Sequence, residues 1–180
     1  MDIRKAEPCD LRKVRTFYNS LIDQMHENNY YTAWEKDVYP DEKLMASFID
    51  NGELFVGEEK DNIIAAMVLN TKGNAAYNDV HWRVEADPTH AMVLHILGVS
   101  LREKGRGYGR RMLEYARRYA LQNNMRAIRM DVHITNITAM KLYEKMSYRA
   151  VDKVRMFYEG IGWHDFIMYE LPINDDHRYQ

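Results

Sequence analysis

One cysteine, four prolines and nine glycines in 180 residues leave this chain few covalent or conformational staples. The lone Cys9 excludes an internal disulfide and fits a reducing compartment. No apolar run approaches the ~18 residues that a membrane span needs. The opening Met1-Asp2-Ile3-Arg4 has no apolar signal core, so a cytoplasmic protein without membrane contact is expected. A net charge of −2 argues against general nucleic-acid binding. The seven histidines show no ligand spacing, so no metal site is expected. There is no Gly-x-Ser-x-Gly elbow for a nucleophilic serine, and Cys9, ahead of the first helix, is a poor candidate for a nucleophile.

What is present reads as an ordinary globular chain, 46% hydrophobic and 29% charged, without repeats or linkers. Residues 2–6 alternate as a short strand. Asp10 is placed to cap a helix carrying Val14, Phe17, Tyr18, Leu21, Ile22 and Met25 at three- and four-residue spacing. Residues 27–39 are polar and aromatic without a period. Pro40 and Asp41 start a short helix through Leu44, Met45 and Phe48. Two strands follow, at 53–58 and 63–69, joined by the turn Lys60-Asp61-Asn62. Residues 71–89 fit strand or loop equally well. Residues 90–99 read as a strand buried on both faces. A helix with Tyr108, Met112, Tyr115, Ala116 and Tyr119 on one face and its end at Asn123-Asn124, a strand at 127–132, a helix from Asn136 to Met146, and strands at 149–158 and 164–171 complete the order β-α-α-β-β-β-α-β-α-β-β. One mixed α/β sheet flanked by helices is the economical architecture.

The chemistry gathers at residues 99–113. A strand ends there, Gly105, Gly107 and Gly109 alternate with Arg106 and Tyr108, and a helix begins at once. Such a junction offers unpaired amides and the positive end of a helix dipole to an anion. The spacing is neither that of a dinucleotide loop nor that of a P-loop.

The run Val99-x-x-x-x-Lys104-Gly105-x-Gly107-x-Gly109 followed by Met112-Leu113 resembles the acyl-coenzyme-A loop of the GNAT N-acetyltransferase superfamily. About 27 residues further on, Asn136-x-x-Ala139-x-x-Leu142-Tyr143-x-x-x-Ser147-Tyr148 is similar to the second half of that family's signature. Lys104 stands where the family usually has Arg or Gln, and Ser147 where it usually has Gly. The resemblance implies a single GNAT-like α+β domain over residues 1–172 with a polar tail at 173–180. It also implies a mostly antiparallel sheet whose central strands splay. By the same resemblance, the amides from Lys104 to Gly109, with Arg106, Tyr108 and Arg110, hold the diphosphate of acetyl-CoA. Leu97, Gly98 and Val99 pair with its pantetheine arm, and Asn136 contacts that arm from the other side.

The implied activity is transfer of acetyl from acetyl-CoA to a primary amine by direct attack on the thioester. The alternative is a non-catalytic acyl-CoA-binding or sensor module. Tyr143 is implied to protonate the leaving thiolate. The family often carries a Glu on the strand before the loop, but that position falls near Val93, which cannot act as a base. His95 is the best base candidate, since strand parity puts it on the same face as Leu97 and Val99. Tyr30, Tyr31, Trp34, His81 and Glu85 are candidates for the wall of the acceptor site, whether the acceptor is a small molecule or a peptide amine. The apolar C-terminal strands offer an edge for a homodimer.

Overall fold

The computed structural model describes residues 1–30 and 33–173. Tyr31 and residues 174–180 of the expected tail lie outside them. Seven strands form one sheet: β1 (Asp2–Lys5), β2 (Leu54–Glu59), β3 (Asn62–Asn70), β4 (Ala91–Val99), β5 (Ala127–His133), β6 (Arg149–Tyr158) and β7 (Gly162–Pro172). Their spatial order is β1-β2-β3-β4-β5-β7-β6. Every neighbouring pair is antiparallel except β4 and β5, which run parallel. Four helices flank the sheet: α1 (Leu11–Glu27), α2 (Glu42–Asp50), α3 (Tyr108–Gln122) and α4 (Ile137–Lys145). The element order is the one expected from the sequence.

Burial explains the layering. Val14, Phe17, Tyr18 and Leu21 of α1 and Met45 and Ile49 of α2 pack on Leu54, Val56, Ala66 and Val68 on one face of the sheet. On the opposite face, Met112, Leu113, Ala116 and Ala120 of α3 and Tyr143 of α4 pack on Ala65, Met67, Ile128 and Met130. Each helix shows the three- and four-residue apolar stripe that this demands.

One local expectation changes, and two open points become definite. Asp10 stands at the helix N-cap, but its carboxylate makes no cap bond. It accepts instead from the Glu7 amide (2.9 Å) and from both terminal nitrogens of Arg4 (2.6 and 3.0 Å), tying α1 to β1. The Arg4 guanidinium holds that carboxyl below the ordinary carboxylate range. Residues 71–89 form no strand. They hold 3-10 turns at Ala75–Asp79 and Pro88–His90, started by Asn74 and Asp87 side chains that accept from Ala76 N and Thr89 N. Ser147 takes a left-handed φ of 69° where α4 ends, a conformation that carries strain of order 1 kcal/mol in a non-glycine residue.

What pins the irregular 71–89 segment to the sheet is a buried ion pair. Arg129 Nε donates to Glu170 Oε1 (3.1 Å), joining β5 to β7. Glu170 Oε2 accepts from the amides of Arg83 and Val84 (2.9 and 3.0 Å), and Arg129 also donates to Val84 O (2.9 Å). Trp82 lies 4.5 Å from the guanidinium. Glu170 is 1% exposed, so removing its carboxylate strands a buried cation and two amides. Glu170→Ala is therefore expected to lower the unfolding free energy by about 3–5 kcal/mol in a urea titration. A loss below about 1 kcal/mol would show that the pair does not hold this segment.

Candidate active site

The two central strands meet only at their first residues. Ala91, Met92 and Val93 of β4 pair with Ala127, Ile128 and Arg129 of β5, and beyond them the strands part. On its other edge β4 stays paired with β3, but with a register shift. Val68 opposes His95 and Ala66 opposes Gly98, so Met67 alone spans Ile96 and Leu97. This is a β-bulge. Ile96 sits at φ 42°, and its carbonyl accepts a hydrogen bond from the Tyr18 hydroxyl at 2.8 Å.

The bulge overturns the parity expected for His95. Leu97 and Val99 face α3 and α4, whereas His95 faces the α1–α2 side, its ring stacked on Phe48 at 6.4 Å. Gly98 also faces α1, where a Cβ would meet Leu21 Cδ2 at 2.6 Å, so its bareness serves helix packing.

Into the opening between β4 and β5 falls a cavity with aromatic walls. Leu97, Asn136, Tyr143, His95 and Trp34 line it, bringing together five of the residues singled out from the sequence. Tyr39, Asp131, His133, Tyr158 and Phe166 line it as well. His81 and Glu85 do not; both are exposed on the segment clasped by Glu170. Tyr30 is not in the lining either: its hydroxyl accepts from Lys104 Nζ at 3.0 Å, beside the glycine loop. That ammonium holds the Tyr30 hydroxyl below the ordinary phenol range.

The polar groups of the cavity are held in defined states. Asn70 Oδ1 accepts the Lys72 amide (2.9 Å) while Asn70 Nδ2 donates to Glu53 (3.0 Å), so the contact from His95 Nε2 to Asn70 Oδ1 (3.0 Å) has the imidazole as donor. The lone pair of neutral His95 is then on Nδ1. Burial pushes its pKa below 6.5, against the opposing pull of Asp131 and Glu53. Tyr143 is 6% exposed, and its hydroxyl has no hydrogen-bond partner among the described residues. Burial first, then the charge of Asp131, raises its pKa, so it keeps its proton. Asn136 caps α4 through Ala139 N (3.2 Å). His164 Nε2 donates to Ile161 O (2.9 Å), which leaves its Nδ1 to accept from His133 Nε2 (3.3 Å).

The glycine loop leaves bare backbone donors open. Gly105 and Gly107 lie at φ 84° and 77°, with nothing within 4 Å of where a Cβ would stand. Among the described residues, the amides of Gly105, Gly107, Tyr108, Gly109 and Arg110 find no acceptor, and α3 starts at Gly107 without a side-chain cap. These are orphan donors at a helix N-terminus, the arrangement an anion satisfies. Not every expected group is available. The Lys104 and Arg106 amides close turns onto Leu101 O and Glu103 O. Arg106 and Arg110 pair with Glu103 and Glu114 at 2.6 and 2.7 Å, and the Tyr108 hydroxyl bonds Glu59. A residue with no motif signal sets the loop's entry: buried Gln24 of α1 accepts from Leu101 N (2.7 Å) and Ser100 Oγ (3.2 Å).

The chain matches the model of the acetyltransferase (GNAT) family over residues 17–148. It belongs to that family, as an N-acetyltransferase of the type that takes acetyl from acetyl-CoA. The fold is similar to that of a GNAT-family acetyltransferase from Streptococcus agalactiae (18% identity, 97% and 95% of the two chains, TM-score 0.76). It is also similar to YncA from Salmonella typhimurium, solved with acetyl-CoA (16% identity, 97% and 95%, TM-score 0.70). A third likeness is to the ribosomal-protein-S18-alanine N-acetyltransferase of Escherichia coli (19% identity, 99% and 97%, TM-score 0.66). No curated protein sequence matches the chain.

Gln24→Leu, which keeps the volume but removes the acceptor, is expected to weaken coenzyme A binding about tenfold in calorimetry, since the loop's first turn loses its anchor. An unchanged Kd would mean the loop holds its shape without Gln24.

Proposed function

We propose that this enzyme moves the acetyl group of acetyl-CoA to a primary amine bound in the aromatic cavity between β4 and β5. The observation that carries this reading is the cavity in the opening of the sheet, lined by Tyr143 with its unpartnered hydroxyl, beside a strand β4 that runs on into the orphan amides of the glycine loop. Acetyl-CoA supplies an acetyl on a thioester, which the amine attacks directly. The chain's own work is to hold the diphosphate at the amides of Gly105 and Gly107–Arg110, to guide the pantetheine arm along the unpaired edge of Leu97 and Val99, and to manage two protons.

Tyr143 manages the first. Its raised pKa keeps it protonated at pH 7, so its hydroxyl can hydrogen-bond sulfur as negative charge builds there. His95 manages the second. A lysine-like amine must lose a proton before it attacks, at a cost of roughly 4–5 kcal/mol at pH 7, against roughly 1 kcal/mol for an α-amino group. Neutral His95, with Nδ1 as its lone pair, is a base suited to the costlier case.

Two experiments test these roles. Tyr143→Phe is expected to lower kcat more than tenfold while the Kd for coenzyme A changes little; an unchanged kcat removes Tyr143 from the chemistry. For His95, protonation abolishes the base, and its pKa lies below 6.5. The rate should therefore hold at neutral pH and fall on acidification through a point below 6.5, and His95→Gln should lower the plateau and erase that acid limb. An acid limb that persists in His95→Gln assigns the base elsewhere.

A further inference from the structure

Asp131 went unremarked in the sequence and has a singular position in the structure. Among the described residues it is the only carboxylate lining the cavity, and no lysine or arginine lines it. On β5, Ile128, Met130 and Val132 point into the apolar core under α3 and α4, while Asp131 occupies the opposite face with Arg129 and His133. Its Oδ1 accepts two hydroxyls at 2.8 Å each, from Tyr77 of the 71–89 segment and Tyr158 of β6. Among the described residues, no hydrogen bond reaches its Oδ2.

Both tyrosines are driven well above the ordinary phenol pKa by burial, with Asp131 adding to the shift, so they remain donors and fix the carboxylate as acceptor. The same negative charge is felt at Tyr39, His95 and Tyr143. Around it stand the rings of Trp34, Tyr39, Tyr158 and Phe166. Tyr39 and Tyr158 are 5.7 Å apart, and Tyr158 and Phe166 5.4 Å.

A partly desolvated carboxylate with one oxygen clamped and the other unbonded, in a ring of aromatic faces, is complementary to a cation with an apolar body. It is hostile to a second anion, because nothing in the lining offsets the repulsion. We infer that Asp131 is the ammonium-binding residue of the acceptor site. The acceptor is accordingly a small amine that reaches the cavity as a cation, has an aromatic or compact apolar body, and lacks a carboxylate beside the amine. This rests on the acetyl-transfer reading above and narrows its substrate class. Tyr77 and Tyr158 are positioning residues, acting through Asp131.

Calorimetry with benzyltrimethylammonium, a cation that cannot be acetylated, isolates binding from turnover. The wild-type protein should bind it, and should not measurably bind 3-phenylpropionate, which has a similar body and the opposite charge. Asp131→Asn keeps an oxygen for the two tyrosine hydroxyls and should weaken the cation's affinity at least tenfold. Its Kd for coenzyme A should be unchanged, which also reports that the variant is folded. In turnover, phenethylamine should exceed phenylalanine at least tenfold in kcat/KM. Equal or absent cation binding in wild type and a folded Asp131→Asn, or binding of 3-phenylpropionate as tight as that of the cation, overturns the assignment. A preference for phenylalanine overturns it while leaving acetyl transfer standing. Failure to acetylate any amine, with the cation still bound through Asp131, strikes the acetyl-transfer reading alone.

Discussion

The structure depends on a failure of strand pairing. β4 and β5 are held together for three residue pairs and then separate, although both continue for several residues more. A parallel pair that stayed closed would satisfy its backbone groups and leave neither a cavity nor a free strand edge. Two local features sustain the opening. The bulge at Ile96 and Leu97 turns β4 while it remains paired to β3, and Tyr18, anchored in α1, takes up the Ile96 carbonyl. Gly98 then lets α1 close onto the strand just beyond the bulge. The backbone polarity that the sheet leaves unsatisfied is thereby concentrated where a ligand can use it.

The far wall of the opening is built differently. β5 is locked to β7 along its whole length, from the Ala127–Pro172 pair to the His133–Phe166 pair. The irregular segment over it is held by the Arg129–Glu170 pair rather than by a ladder. A buried pair of this kind is a weak source of net stability against an apolar replacement. Its value here is geometric, because it brings Tyr77 over the sheet to reach Asp131. The cavity thus has one wall set by strand curvature and another set by a charged clasp. His95, Asp131, Tyr143 and Tyr158 bring it titratable groups from β4, β5, α4 and β6, and Tyr77, from the turn at Ala75–Asp79, bonds the Asp131 carboxylate.

Much of this was legible in the chain. The apolar stripes of α1 and α3 and the alternation of Gly105, Gly107 and Gly109 are local patterns, and local patterns determine helices and anion loops. The paired motifs at Lys104–Gly109 and Asn136–Tyr148 pointed to the family. Asp131 carried a faint signal, the lone acid in a strand at 127–132 that is apolar but for it and Arg129, but a strand says nothing about what lies above it. Gln24 carried none, since a glutamine within an amphipathic helix is ordinary. His95 was assigned to the wrong face because parity counting assumes an unbroken pleat, and one extra residue in β4 shifts every side chain after it.

By itself, then, the sequence determined the element order, the apolar faces of the helices and the bare glycine loop at the start of α3, because each follows from residue spacing within one element. Only the tertiary structure decided the parting of β4 from β5, the side on which His95 stands, and the meeting of Asp131 with Tyr77 and Tyr158 across 54 and 27 residues of chain. Those follow from how separate elements pack, and packing is set by contacts between residues too distant in sequence to leave a pattern there.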